Sequence, residues 1–380
     1  MGTKQKHILV LSASAGAGHV RAAQALCETA EREFPNLKLT HIDVLDLVPS
    51  TFRKLYFDGY LKLIEKAPLL WAYLYQHTDK PARESKISSV RKRIERLNTR
   101  KLYAEIEKRD PDAIVCTHFI APELLSRRIR KGHTVPPVFV QITDFDVHAL
   151  WIHPHMRGYF VANDEIAWRT AQRGIDASTI HVTGIPISPQ FLQMLDRFTC
   201  ARDAGLDPQV TTLLVMAGGA GVGGLETLVE RLAAIDRKFQ IVALAGKNEK
   251  LLSKLQVVAR KYPGKVFPMG FTRTIERLMK SADIAVTKPG GLTTSECLAM
   301  GLPMIVVAPI PGQEERNTYY LLECGVALKA NDADSLEYKL TRILSAPDKL
   351  ADMRARMIDI AKPDAAARVL AVISRTLTAS

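Results

Sequence analysis

IAVTKPGGLTTSECLAMGLPMIVVAPIPGQEERN, residues 284–317, is the stretch whose reading decides the fold. A short apolar run ends in the turn Lys288, Pro289, Gly290, Gly291; a helical pattern begins near residues 292–294, a second apolar run (MIVV) follows, and a polar loop closes the stretch. Strand, glycine turn, helix, strand is the grammar of a parallel α/β sheet. Gly290 and Gly291 let backbone come close to a ligand. The helix start behind them, at Leu292 and Thr293, offers unpaired N–H groups and the positive end of a dipole, which together suit a phosphate. Lys288 adds a cation beside that turn. Glu296, one turn into the helix, is placed to accept hydrogen bonds from vicinal ribose hydroxyls, and Gln313, Glu314 and Asn317 form a second polar cluster suited to a polyhydroxylated group.

Working outward, the second half of the chain repeats this grammar. A strand is expected at 212–216, then the glycine loop AGGAGVGG (217–224) with Gly218 and Gly219, a helix from 225, and strands at 240–244 and 266–270. The last of these ends in MGFT, where backbone, Phe271 and Thr272 can meet a base ring. A short helix at 275–281 precedes the opening stretch, and helices dominate from 335, the last at 365–376.

The first half starts with HILVLS (7–12), read as a buried strand, then a small-residue turn at 13–18, a helix at 19–34 and a strand at 38–44. A nicotinamide dinucleotide is disfavoured. In Gly16-x-Gly18-x-x-Arg21 a large cation stands where a third glycine would let helix and strand pack closely. His19 sits at the helix N-terminus, where the dipole disfavours the imidazolium; a neutral histidine there either acts as a base or simply packs at the turn. Strands at 113–117 and 138–142 end at His118 and at Thr143 and Asp144, so both ends should face one cleft. Asp144, Asp146 and His148 also make a D-x-D pattern that serves divalent metals in another class of sugar transferase. The downstream phosphate turn argues against that class, and no metal is expected. Strands at 159–163 and within 181–191 complete a first domain at 1–192, leaving 193–380 as the second.

At 380 residues, with 47% hydrophobic and 24% charged residues, the chain is long enough for two such domains. A net charge of +12 and a pI near 9.4 point to an anionic partner. Five scattered cysteines without a C-x-x-C pair suggest neither a disulfide framework nor zinc, and a reducing cytosol is the simplest compartment. No apolar run approaches the roughly 20 residues that span a bilayer. The N-terminus makes a better first strand than a signal peptide, and leaves no room for a transit peptide. Residues 50–76 carry seven aromatics. Phe52, Tyr56 and Tyr60 share a helical face while Arg53, Lys54, Lys62 and Lys66 lie round the polar side; with Trp71 they suit a membrane interface, the alternative being an aromatic core stripe. Residues 81–109 hold ten Lys or Arg against four acidic residues. A basic segment beside an aromatic one favours anionic lipid over nucleic acid.

SASAGAGHVRAA (12–23), TDFDVHALWIHP (143–154), VTGIPISPQF (182–191), TKPGGLTTSE (287–296) and PGQEERN (311–317) resemble, in this order and over nearly the whole chain, the monogalactosyldiacylglycerol synthase and processive diacylglycerol glucosyltransferase family. The resemblance implies a GT-B fold: two Rossmann-like domains facing across a cleft, with a C-terminal helix that crosses back to the first. It implies that His19 is the general base, with Asp144 next in line, and that Gly18, His118 and His148 lie on the acceptor side with the aromatic segment. Gly290, Gly291 and their helix would hold a diphosphate, Glu296 the ribose, Gln313 and Glu314 the sugar, and Phe271 with its neighbours the uracil. The implied activity is inverting transfer of a hexose from UDP-galactose or UDP-glucose to diacylglycerol or a related lipid, without a cofactor or nucleic acid. Its implied place is the inner face of a bacterial cell membrane, peripherally held. A UDP-N-acetylglucosamine 2-epimerase and a non-catalytic UDP-sugar sensor are the alternatives.

Overall fold

The computed structural model describes residues 5–14, 16–47, 67, 70, 73, 75, 77, 79, 100–216 and 224–378. Phe52, Tyr56, Tyr60 and Trp71, expected to meet lipid, and Gly218 and Gly219, expected to meet the nucleotide, lie outside them. The chain divides into two compact units. One comprises Met1–Pro189, Ile310–Gln313 and Lys362–Ser380, the other Gln190–Pro309 and Glu314–Ala361.

The first unit runs β1 (Lys6–Ser12), α1 (Ala17–Glu33), β2 (Leu37–Asp43), α2 (Arg100–Arg109), β3 (Ala113–Cys116), α3 (Ile120–Arg130), β4 (Val138–Gln141), β5 (Gly158–Val161), α4 (Asp164–Gln172) and β6 (Ile180–Val182). Its strands form one parallel sheet in the order β2-β1-β3-β4-β5-β6. The uninterrupted apolar run of β1 follows from burial on both faces. Ile8 and Val10 pack with Ala23 and Leu26 of α1, whereas Leu9 and Leu11 pack with Leu102 of α2 and Leu124 of α3. Strand order reverses between β1 and β3. Such a switch point opens a crevice beyond the carboxyl ends of the two strands.

The second unit runs α5 (Arg197–Asp203), β7 (Thr212–Met216), α6 (Leu225–Ala233), β8 (Gln240–Gly246), α7 (Glu249–Lys261), β9 (Val266–Gly270), α8 (Ile275–Ser281), β10 (Ile284–Thr287), α9 (Gly291–Ala299), β11 (Met304–Val307), α10 (Gln313–Glu323), β12 (Ala327–Ala330), α11 (Ala333–Leu344) and α12 (Pro347–Ile360). The parallel order β12-β11-β10-β7-β8-β9 is that of a dinucleotide-binding Rossmann sheet, with its switch between β7 and β10. Below β10, Asp283 accepts from Thr212 N at 2.9 Å, Arg197 Nη2 at 2.6 Å and Arg354 Nη2 at 3.0 Å, tying β7, α5 and α12 to the strand that feeds the glycine turn.

The last helix, α13 (Ala365–Thr378), belongs to the first unit, where Ala366, Val369, Leu370 and Ile373 join Ile8, Val10, Phe139 and Phe160 in one core. Gly184 permits this return. Its φ is +91°, and a Cβ there would stand 2.7 Å from that of Lys362. Two local expectations change. Residues 313–317 are the first turn of α10 rather than a loop, with Glu314 and Glu315 at its positive end. Strand β12, only ALKA in sequence, gave too short a signal to be read. No helix among the described residues is long and apolar enough to cross a membrane.

Candidate active site

At the switch point of the first unit, β1 hands over to α1 through Gly16, whose extended backbone (φ −171°) caps the helix without a side-chain bond. His19 therefore lies in the first turn, beside the carboxyl end of β3. Its Nδ1 is 2.9 Å from the Thr117 carbonyl oxygen and 2.9 Å from Thr143 Oγ1, and Thr117 Oγ1 donates to the His19 carbonyl at 2.9 Å. A carbonyl oxygen only accepts, so these partners assign the ring proton to Nδ1 and leave the lone pair on Nε2. Burial pushes the His19 pKa down to about 4, against a smaller upward pull from the Thr117 hydrogen bond. The imidazole is neutral throughout the physiological range.

His118, buried at the end of β3, stands edge-on to His19 with ring centroids 4.5 Å apart. Its Nδ1 accepts from Ile120 N at 3.2 Å, which puts its proton on Nε2. Burial, then the neighbouring His19, holds its pKa well below the usual histidine range. Trp151, also buried, closes the group at 6.1 Å from His19 and 6.5 Å from His118. Gly18, one residue before His19, is half-buried.

Thr143 and half-buried Asp144 follow β4 after Ile142, so the contact of Thr143 with His19 places Asp144 one residue from the imidazole's partner. The second aspartate of the D-x-D pattern goes elsewhere: Asp146 is buried, 3.8 Å from Arg169 Nη1. His148 is buried as well. Its Nδ1 accepts from Leu150 N at 3.1 Å and its Nε2 donates to the Tyr75 carbonyl at 2.9 Å, so the ring fastens a loop where acceptor contact was expected.

In the second unit the expected turn sits at the switch point. Gly290 is the N-cap of α9 and makes no side-chain cap bond, leaving first-turn N–H groups of that helix to an incoming anion. The turn is braced from α10. Fully buried Asn317 donates through Nδ2 to the Pro289 carbonyl at 2.9 Å, and the Glu314 carboxylate lies 3.8 Å from where a Gly290 Cβ would project. Asn317 thus shapes the turn. Glu296 is buried at 2% exposure, half-buried Lys288 and Thr293 flank the turn, and the Leu292 side chain is buried. Gln313 is half-buried at the start of α10.

Beyond β9, Phe271 is 59% exposed with Lys247 Nζ 5.1 Å from its ring centroid, a cation and a flat ring presented together. Thr272 is turned inward along the chain: its Oγ1 accepts from Thr274 N at 3.0 Å ahead of α8. Thr117, Thr143 and Trp151 escaped sequence reasoning as functional residues. The one signal for Thr117 and Thr143 was position, since each stands just past a strand end, whereas Trp151 closes a short turn ten residues beyond β4.

The family model for monogalactosyldiacylglycerol (MGDG) synthase matches residues 19–187, and that for glycosyl transferases group 1 matches residues 202–363. The processive diacylglycerol β-glucosyltransferase of Bacillus licheniformis is 31% identical over 92% of this chain and 89% of its own length. That of Bacillus subtilis is 30% identical over 93% and 91%. Among solved structures, MurG of Acinetobacter baumannii superposes with a TM-score of 0.63 at 15% identity, covering 97% of this chain and 99% of its own. The S. aureus MnaA–UDP structure gives 0.64 at 13% identity over 98% and 97%, and Phytolacca americana UGT2 with UDP-2-fluoroglucose and pterostilbene gives 0.62 at 13% over 98% and 100%. At such identities the structures establish the fold, which is GT-B with two Rossmann-like domains.

Proposed function

We propose that this chain, which belongs to the monogalactosyldiacylglycerol synthase and processive diacylglycerol glucosyltransferase family of glycosyltransferases, moves a glucose or galactose from a UDP-sugar to diacylglycerol or a related membrane lipid. The observation that carries the chemistry is the fixed tautomer of His19. With Nδ1 turned to the Thr117 carbonyl, Nε2 is the nitrogen that takes a proton. In a single displacement the lipid hydroxyl oxygen attacks the anomeric carbon as its proton passes to Nε2, and the bond from that carbon to the diphosphate oxygen breaks with its electron pair leaving on UDP. The anomeric configuration inverts. The α9 N-terminus and Lys288 stabilise the departing charge without a metal, as fixed dipoles and cations do where charge develops. Glu296 takes the ribose, Gln313 and Glu314 the sugar, and Phe271 the base. The basic surplus of residues 81–109 holds the protein on the anionic inner surface of the membrane, and nucleic acid is no partner.

A shared fold gives a UDP-N-acetylglucosamine 2-epimerase the second place, since the UDP-GlcNAc 2-epimerase of Neisseria meningitidis superposes with a TM-score of 0.61, close to the 0.63 of MurG. Incubation with labelled UDP-glucose, UDP-galactose or UDP-N-acetylglucosamine and diacylglycerol vesicles separates the readings. Lipid-soluble label is the expected result. Epimerised nucleotide sugar with no lipid product would overturn the proposal, and UDP-sugar binding without turnover would point to a sensor.

A further inference from the structure

Tyr75 and Asp79 hold the loop that follows Thr143. The Asp79 carboxylate accepts through Oδ1 from Ala149 N at 3.0 Å and from Arg173 Nη2 at 2.7 Å, and its carbonyl accepts from Arg173 Nη1 at 3.2 Å. Tyr75 is buried; its carbonyl takes the His148 Nε2 proton and its ring lies on the His148 ring, centroids 4.3 Å apart. On another side the Tyr75 ring meets Gly312. A Cβ at Gly312 would fall 2.7 Å from Tyr75 Cδ1 and 2.9 Å from Cγ, and the backbone there has φ +89°, so glycine is required twice over.

The loop is thereby pinned at both ends: Thr143 by His19, His148 and Ala149 by Tyr75 and Asp79. Asp144 lies between the pins. The residue after Gly312 is Gln313, which is the first residue of α10 and the last of the segment Ile310–Gln313 that belongs to the same unit as Tyr75. We propose that Tyr75 and Asp79 are positioning residues of the transfer reaction, setting the Asp144 loop and the Gly312–Gln313 turn at one fixed spacing. The inference rests on the transferase reading for its kinetic consequence and on geometry alone for the clamp. Displacing a reacting group by about 1 Å costs on the order of 100-fold in rate, so a spacer ring acts on turnover without touching substrate.

The test compares Tyr75→Ala, Gly312→Ala and their double variant in lipid transfer from UDP-sugar to diacylglycerol vesicles, with UDP affinity by calorimetry alongside. Each single change should lower kcat about tenfold or more with UDP affinity within about threefold, and Tyr75→Phe should restore most of the rate. The double variant should lose less than the product of the two single losses, because removing the ring removes what the new Cβ strikes and leaves only the backbone strain at Gly312. Simple additivity, or an unchanged kcat in folded Tyr75→Ala, would overturn the inference. Amide exchange at Ala149 provides a readout independent of turnover. It should quicken in Asp79→Ala and more mildly in Asp79→Asn, and unchanged exchange in both overturns the clamp. A wild-type protein that transfers nothing to lipid sinks the functional reading and leaves the exchange test standing.

Discussion

The two switch points are built from opposite materials. In the second unit the switch-point surface is largely backbone: a Lys-Pro-Gly-Gly turn, an N-cap without a side-chain bond, and a brace from Asn317, 28 residues from Pro289. In the first unit the surface is side chain: His118, Thr143 and Trp151 converge on His19 from positions 99 to 132 residues beyond it. Backbone sites bind anions with little sequence cost, since any helix start supplies the donors. A side-chain site of neutral imidazoles is suited to carrying a proton. The proposed division of labour between binding and proton transfer rests on this contrast of materials, and it is open to attack from both sides.

His19→Ala attacks the proton carrier and has the largest expected effect: a loss of about 100- to 10,000-fold in kcat, the usual worth of general acid–base catalysis, with UDP affinity unchanged in calorimetry. If UDP affinity falls with the rate, binding and proton transfer are not divided as described. Leu370→Ala attacks the scaffold of the first unit by opening a cavity under β1, β4 and β5, and urea unfolding should register a loss of about 2–5 kcal/mol. A loss below about 1 kcal/mol would show that α13 is an ornament of that core. Glu296→Ala is the complement of the first variant. It should weaken UDP-sugar binding by about 10- to 100-fold, the worth of hydrogen bonds to a buried charge, and change the saturated rate much less. A collapse of kcat at saturating donor would assign Glu296 to the chemistry.

The same contrast explains how much was legible in the sequence. The turn from Lys288 to Gly291, its helix and Glu296 could be read because a backbone site is local, and strand, turn and helix must follow one another along the chain. His19 was legible as a residue at a helix start, but its tautomer depends on a carbonyl 98 residues away, which no local pattern encodes. His148 looked like an acceptor contact because a loop histidine after D-x-D is polar in sequence. The fold buries it against Tyr75, a residue whose aromatic neighbours in sequence suggested lipid. Asn317 looked like a ligand contact for the same reason, and turned out to brace the turn that the sequence had already identified.

The smallest effect is the most discriminating, because it reads the His19 environment directly. A histidine at its ordinary pKa of about 6.5 would lose half its base form at that pH. Burial lowers His19 to about 4, so its base form persists as pH falls, and the acid limb of kcat/KM, which reports the free enzyme, should lie nearer 4 than 6.5. The sign for stability runs the other way from that of a paired cation. Between pH 6.5 and about 4 the unfolded chain binds a proton at His19 that the folded chain refuses, so stability falls as pH drops through this window, and His118 adds in the same direction. Replacing His19 with Ala should flatten that decline in urea titrations at pH 7 and pH 5. An equal decline in both proteins would mean that His19 takes up its proton at the same pH in the folded as in the unfolded chain. Burial would then not keep the ring neutral below pH 6.5, and the acid limb of kcat/KM would return towards the ordinary histidine value.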